Sequence, residues 1–187
     1  MERPIVKHGG YKRLRSFQIA EAIYDGTVDF CNAHIDRRSR THDQMVQAAR
    51  SGRQNIAEGS MASATSKKTE LKLTGVARAS LEELLLDYED FLRQRGLRKW
   101  EKDSSEALEV RNRFRSDESD KSDRSDKSEE SDRSDAEVAA NTMVCLIHQA
   151  TYLLRRQMES LERAFVEDGG FTERLYKTRR DFREKTD

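Results

Sequence analysis

Two cysteine–histidine pairs of the same spacing, Cys31-x-x-His34 and Cys145-x-x-His148, are the residues whose types could do metal chemistry in this chain. Side chains three apart share a helix face. Two such pairs on adjacent helices could in principle offer a tetrahedral Cys2His2 zinc site. The apolar pattern argues against it: Cys31 falls on the core stripe of its segment, whereas Cys145 falls opposite the stripe of its own. The expectation is therefore two small, buried apolar side chains, with no metal and no other cofactor. Far apart in sequence and both in helical segments, the thiols are expected to be reduced rather than bridged.

Other chemistries fare no better. A di-iron site in a helical bundle needs Glu-x-x-His on two helices, but Ile5, Cys31, Ser39 and Cys145 stand three before the four histidines. No G-x-S-x-G, P-loop or G-x-G-x-x-G pattern occurs. The acidic run Glu82, Glu83, Asp87, Glu89 and Asp90 reads as a solvated helix face. No catalytic residue is assigned, and the chain is expected not to be an enzyme.

Arginines are the remaining signal. Arg37, Arg38 and Arg40 lie in a basic turn and are expected near Arg50 and Arg53 on the outer side of the following helix. The tail adds Arg174, Lys177, Arg179, Arg180 and Arg183, partly offset by Glu173, Asp181 and Glu184. Such clusters bind phosphate without sequence preference and with strong salt dependence. The bland alternative is an ordinary solubilising surface. A symmetric oligomer would repeat each cluster and favour the first reading.

Helices must position these groups. Of 187 residues, 35% are hydrophobic and 37% charged, a balance that suits long amphipathic helices better than a broad core. The one proline is Pro4, so nothing interrupts a helix further on. Phe17, Ala20, Tyr24, Val28, Cys31 and Ile35 mark a first helix from about Leu14 to Ile35. Asp43 is the expected N-cap of a second, with an inner face of Met45, Ala48, Ala49, Gly52 and Ile56 that permits a close neighbour, and an end at Gly59. Ser66 caps a third helix running through Thr74, Ala77, Leu81, Leu84, Leu85, Tyr88 and Leu92 to a stop at Gly96. Between Leu97 and Phe114, Trp100 is expected to pack on the bundle end, and Ser104 or Ser105 to cap a short helix containing Leu108 and Phe114.

Residues 115–135 follow, with a serine at every third position from 116 to 134, five basic residues, nine acidic ones and no apolar one. Such a segment cannot offset the entropy of ordering and reads as a solvated linker, although its charge pairs could support transient helix. The fourth helix carries Ala140, Met143, Ile147, Ala150, Leu154, Met158, Leu161 and Phe165 on one stripe, ends at Gly169-Gly170, and precedes a basic tail helix from Thr172 to about Arg183. The organisation is thus residues 1–10 as a flexible start, 11–114 with three bundle helices and a short one, 115–135 as linker, 136–168 as the fourth bundle helix, and 169–187 as the Gly-Gly stop and tail. The fold class is all-α: an up-down four-helix bundle with one long crossover and a tail helix.

No charge occurs from Val138 to Leu154, yet Cys145, His148 and Tyr152 fall opposite the stripe. That second face needs a cover from a partner subunit, the linker's neighbours or the tail helix. Self-association is the simplest, with Cys145, His148 and Tyr152 as interface residues. The uncharged stretch is too short and polar for a bilayer span, and Met1 to Tyr11 has no apolar run like that of a signal peptide, so a soluble, cytoplasmic protein is expected.

Asn55-Ile56-Ala57-Glu58-Gly59, the small-residue helix around it, and Ser80-Leu81-Glu82-Glu83-Leu84 resemble the bacterial four-helix-bundle proteins encoded in 23S rRNA intervening sequences. That family includes the accessory variability determinant proteins of diversity-generating retroelements. The likeness covers about Tyr11 to Gly96; Ala139 to Ala150, with Gly169-Gly170-Phe171 and the basic tail, looks like the C-terminal suffix form of the same group. The resemblance implies a homopentameric barrel without catalytic activity and, in the retroelement branch, a basic surface that binds a reverse transcriptase and nucleic acid. The Ser/Asp repeat and the net charge of zero depart from that pattern. The expected function is a non-enzymatic, homo-oligomeric accessory or adaptor for RNA, DNA or a nucleic-acid enzyme, with a protein-interaction scaffold lacking any nucleic-acid role as the alternative.

Overall fold

A computed structural model describes residues 10–114 and 135–184, and these are all-helical. The linker assigned to 115–135 and the flexible start assigned to 1–10 lie almost wholly outside the described residues. A short 3-10 turn, Tyr11–Arg13, leads into α1 (Arg15–His34), α2 (Arg40–Ala62), α3 (Lys67–Gln94), α4 (Ser105–Arg113), α5 (Asp135–Asp168) and α6 (Phe171–Glu184). Among the described residues, no helix is long and apolar enough to cross a membrane.

Local chemistry sets the ends. Ser66 accepts from the Thr69 amide at 3.1 Å and Ser104 from the Ala107 amide at 3.3 Å, so both expected caps are in place. α3 stops as its Gly96 predicts: at φ 64° the chain turns left-handed, Gly96 N–H donates to Arg93 O and Leu97 N–H to Leu92 O, satisfying carbonyls that the helix leaves open. Two expected ends move. Ser39, not Asp43, caps α2, accepting from the Thr41 amide at 3.2 Å; Asp43 sits inside the first turn, where its charge complements the helix dipole. Gly59 does not end α2, which continues to Ala62. It lies buried against α3, where a Cβ would meet Glu70 O and Leu73 Cβ at 3.4 Å, so its role is close approach.

The four long helices pack in a cycle, α1 on α2, α2 on α3, α3 on α5 and α5 on α1. Ile23, Met45, Ile56, Leu81, Leu84, Tyr88, Leu92, Ile147 and Leu154 form the centre of one core. On α1 Phe17, Ala20 and Cys31 are buried as expected, but Ile23, Thr27 and Phe30 are buried too, while Tyr24 and Val28 are only half-buried. The inward Thr27 is satisfied by a long-range hydrogen bond within the chain, Tyr88 Oη donating to Thr27 Oγ1 at 3.0 Å in the core, as a buried polar group requires. Burial pushes the Tyr88 hydroxyl far above its ordinary range, so it stays a donor.

α5 outruns its neighbours. Its 34 residues span about 50 Å and the 20 of α1 about 30 Å, at roughly 1.5 Å per residue. The expected stripe is therefore covered only as far as Leu161; Phe165 is exposed, and Val166 is 83% exposed.

Candidate functional site

The α5 face opposite the core stripe is partly covered from within the chain. α4 packs on it, and the connection from Leu97 to Ser104 is tied to it by a partly buried polar network. Asn141, nearly inaccessible on α5, accepts the Trp100 backbone N–H on Oδ1 at 2.8 Å and donates from Nδ2 to Arg98 O at 2.8 Å. One turn earlier, Glu137 Oε2 accepts the Arg98 amide at 3.1 Å. Gln149 Nε2 donates to Arg111 O near the end of α4 at 3.3 Å, satisfying a carbonyl that the helix leaves open. These bonds hold Trp100 and α4 over α5. In the sequence the uncharged stretch is legible only as partly polar; Asn141 and Gln149 are among the residues that make it so.

Between these elements lies a cleft of about 710 Å³. Its apolar lining comes from Trp100, Ala107, Val144 and Tyr152, and its polar lining from Lys99, Glu101, Lys102, Arg111, Cys145, His148 and Gln149. All three residues assigned to a subunit interface, Cys145, His148 and Tyr152, thus share one intrachain cleft, with Tyr152 half exposed on its rim. Arg156 Nη1 donates to the Tyr152 hydroxyl at 3.2 Å, and Lys99 Nζ pairs with Glu89 at 2.5 Å. Partial desolvation, then the Lys99 ammonium, hold the His148 imidazole below its usual range; Glu89 opposes them, and Arg111 and Lys102 add to them. His148 is thus neutral at pH 7.

The two Cys–His pairs are not brought together. Cys31 is fully buried, its thiol 3.9 Å from Met45 Sδ, and the His34 ring leans on Phe30 with centroids 5.0 Å apart. Cys145 faces the cleft. Burial, aided by the Asp87 carboxylate, pushes the Cys31 thiol up to about 11; burial raises that of Cys145 against the opposing pull of Arg111. Both shifts favour the thiol over the thiolate and so lower reactivity. With a disulfide-exchange reagent at pH 7.5, Cys145 is expected to react slowly and Cys31 only after unfolding. Equal native rates would contradict this placement.

The five candidate arginines separate into two groups. Arg37 and Arg38 are exposed in the α1–α2 connection, where the Arg38 amide donates to Asp36 Oδ1 at 2.9 Å, and Arg40 opens α2. Arg50 and Arg53 lie about 15–20 Å further along that helix at its regular rise, so the expected proximity does not hold. Arg50 is exposed, but Arg53 is half-buried with its guanidinium 4.3 Å from the centre of the Tyr24 ring on α1. That cation–π contact ties α1 to α2. Comparison with models of protein families, with curated proteins and with solved structures finds no match.

Proposed function

We propose that the protein is a non-enzymatic adaptor, an up-down four-helix bundle that self-associates and presents its surface to a macromolecular partner. The observation that carries this reading is the apolar surface at the end of α5 and on α6. α6 has no more than marginal packing against the other elements, yet Leu175 and Tyr176 are exposed on it and Val166 beside it. A helix of 14 residues is marginal alone, since isolated helices shorter than about 12–15 residues seldom hold in water. A docking surface would supply what it lacks.

The occupant we assign is α3 of a second copy. Lys177, Arg179 and Arg183 make α6 basic, while the outer face of α3 carries Glu82, Glu83 and Asp90 around Leu86, which is 63% exposed. Burial first, then Glu83 and Asp90, push the Asp87 carboxyl above its usual range, and a cationic helix would relieve that crowding. Such a contact joins unlike surfaces and so generates rings or filaments rather than a closed two-fold pair. A ring accords with the family resemblance, which extends the reading to nucleic acid or a reverse transcriptase as partner. It would repeat the Arg37, Arg38 and Arg40 turn around its circumference.

Sedimentation at micromolar concentration tests the assembly. The wild type is expected as an oligomer, and Leu175→Glu or Leu86→Glu as a folded monomer, because each buries a carboxylate in the contact. Tyr152→Glu is expected to keep the wild-type mass; if it alone dissociates the protein, the interface lies on α5 instead. A monomeric wild type would end the proposal. Binding to mixed-sequence RNA and DNA across a salt series separates the partners: affinity falling steeply with salt supports nucleic acid, and no binding at low salt leaves a protein scaffold.

A further inference from the structure

The cleft between α4 and α5 contains two polar atoms without a partner. Trp100 is nine-tenths buried, and neither its indole Nε1–H nor the buried Gln149 Oε1 makes a hydrogen bond. Native proteins rarely leave such groups unsatisfied, and those that remain call for an explanation. Both side chains line the same cavity of about 710 Å³, inside the roughly 300–1,000 Å³ range of small-molecule sites. Its apolar walls with convergent polar groups at their edge suit an amphiphilic ligand.

Charge narrows the ligand. Lys99 is paired with Glu89, which leaves Lys102 and Arg111 facing the cavity against Glu101 alone. The Arg111 guanidinium places Nε on the Ala107 carbonyl at 3.1 Å, and its terminal nitrogens retain donor capacity. An anion would complete this set, whereas a cation would be repelled by Lys102 and Arg111.

We propose that this cleft binds a small organic anion, a carboxylate carried on a flat apolar body with one further hydrogen-bond donor. The carboxylate accepts from Trp100 Nε1–H and is held by Lys102 and Arg111. The donor satisfies Gln149 Oε1, and the apolar body lies along Val144 and the Tyr152 ring. The site is complete within one chain, so it stands whether or not the protein self-associates.

Trp100 is the chain's one tryptophan, so its emission reports directly on the cleft. The test uses the full chain and a matched pair of probes, 4-hydroxyphenylacetate and its neutral amide, 4-hydroxyphenylacetamide. The acid is expected to change Trp100 emission saturably with one site per chain, and the amide to bind at least about tenfold more weakly, as expected for loss of a charge-assisted contact. Lys102→Met, at an exposed position, is expected to weaken the acid by a similar factor while leaving the free protein's emission unchanged; Arg111→Met provides a second variant that keeps an apolar stem in place. Bound acid should also raise the titration midpoint of the His148 ring protons in NMR, a readout that nonspecific adsorption elsewhere would not move. Equal affinity for acid and amide, indifference to Lys102→Met and Arg111→Met, or no saturable response at millimolar acid would each overturn the proposal. The monomeric Leu175→Glu protein should bind as the wild type does.

Discussion

Asn141→Leu is expected to destabilise the protein by about 2–4 kcal/mol, because a buried backbone N–H and a partly buried carbonyl lose their partner at once and each orphan costs about 1–3 kcal/mol. The Trp100 N–H loses Oδ1, and the Arg98 carbonyl loses Nδ2. Leucine keeps the branched outline of asparagine but is bulkier, so part of the loss reflects overpacking, and a second variant is needed to isolate the hydrogen bonds. For a chain of this size the midpoint of thermal unfolding should fall by roughly 10 °C. Trp100 emission should shift to the red in the native baseline as the connection lifts from α5. Asn141→Asp separates the two bonds: its carboxylate still accepts from Trp100 but lies against the Arg98 carbonyl, and it should recover stability as pH falls and the carboxyl becomes a donor. Wild-type stability in Asn141→Leu would show that the network contributes little.

Gly52→Val is the second large effect, expected at about 3 kcal/mol or more and measured by denaturant unfolding. Gly52 lies where α2 meets α3, and a Cβ there would stand 2.7 Å from Leu81 Cδ2 and 2.8 Å from Leu81 Cγ. Leu81 is completely buried, so it cannot swing aside without displacing the rest of the core. Gly52→Ala should lose less, since the overpacking is offset by about 1 kcal/mol of helix propensity. Gly75 on α3 is the control. Its added Cβ would meet only Met158 Cε at an ordinary 3.7 Å, so Gly75→Ala should gain up to about 1 kcal/mol. If the two alanine variants behave alike, close helix approach is not the reason for Gly52.

Both effects bear on how much was legible in the sequence. The small inner face of α2 was readable because Ala48, Ala49, Gly52 and Ile56 recur at helical spacing, and small residues on a buried face imply a near neighbour. Asn141 was not readable as a fastener. One polar residue inside an uncharged run has no periodic signature, and its partners lie about forty residues earlier in the chain.

The same division runs through the candidate site. The placement of Cys145, His148 and Tyr152 opposite the stripe followed from angular position on one helix, a property of consecutive residues. What faces them did not follow, because α4 reaches α5 through contacts among Trp100, Asn141, Arg111 and Gln149 that no local pattern encodes.

By itself the sequence determined the all-helical class, the approximate course of the helices, the cap at Ser66, a cap at Ser104 or Ser105, and the stop at Gly96. All of these arise from interactions within about four residues along the chain. Only the tertiary structure decided that Thr27 turns inward to meet Tyr88, that Arg53 lies on Tyr24 rather than in a basic patch, and that a cleft opens beside Trp100. Each depends on which two helix faces meet and at what height, a choice made by the packing of the whole core and not by any single segment.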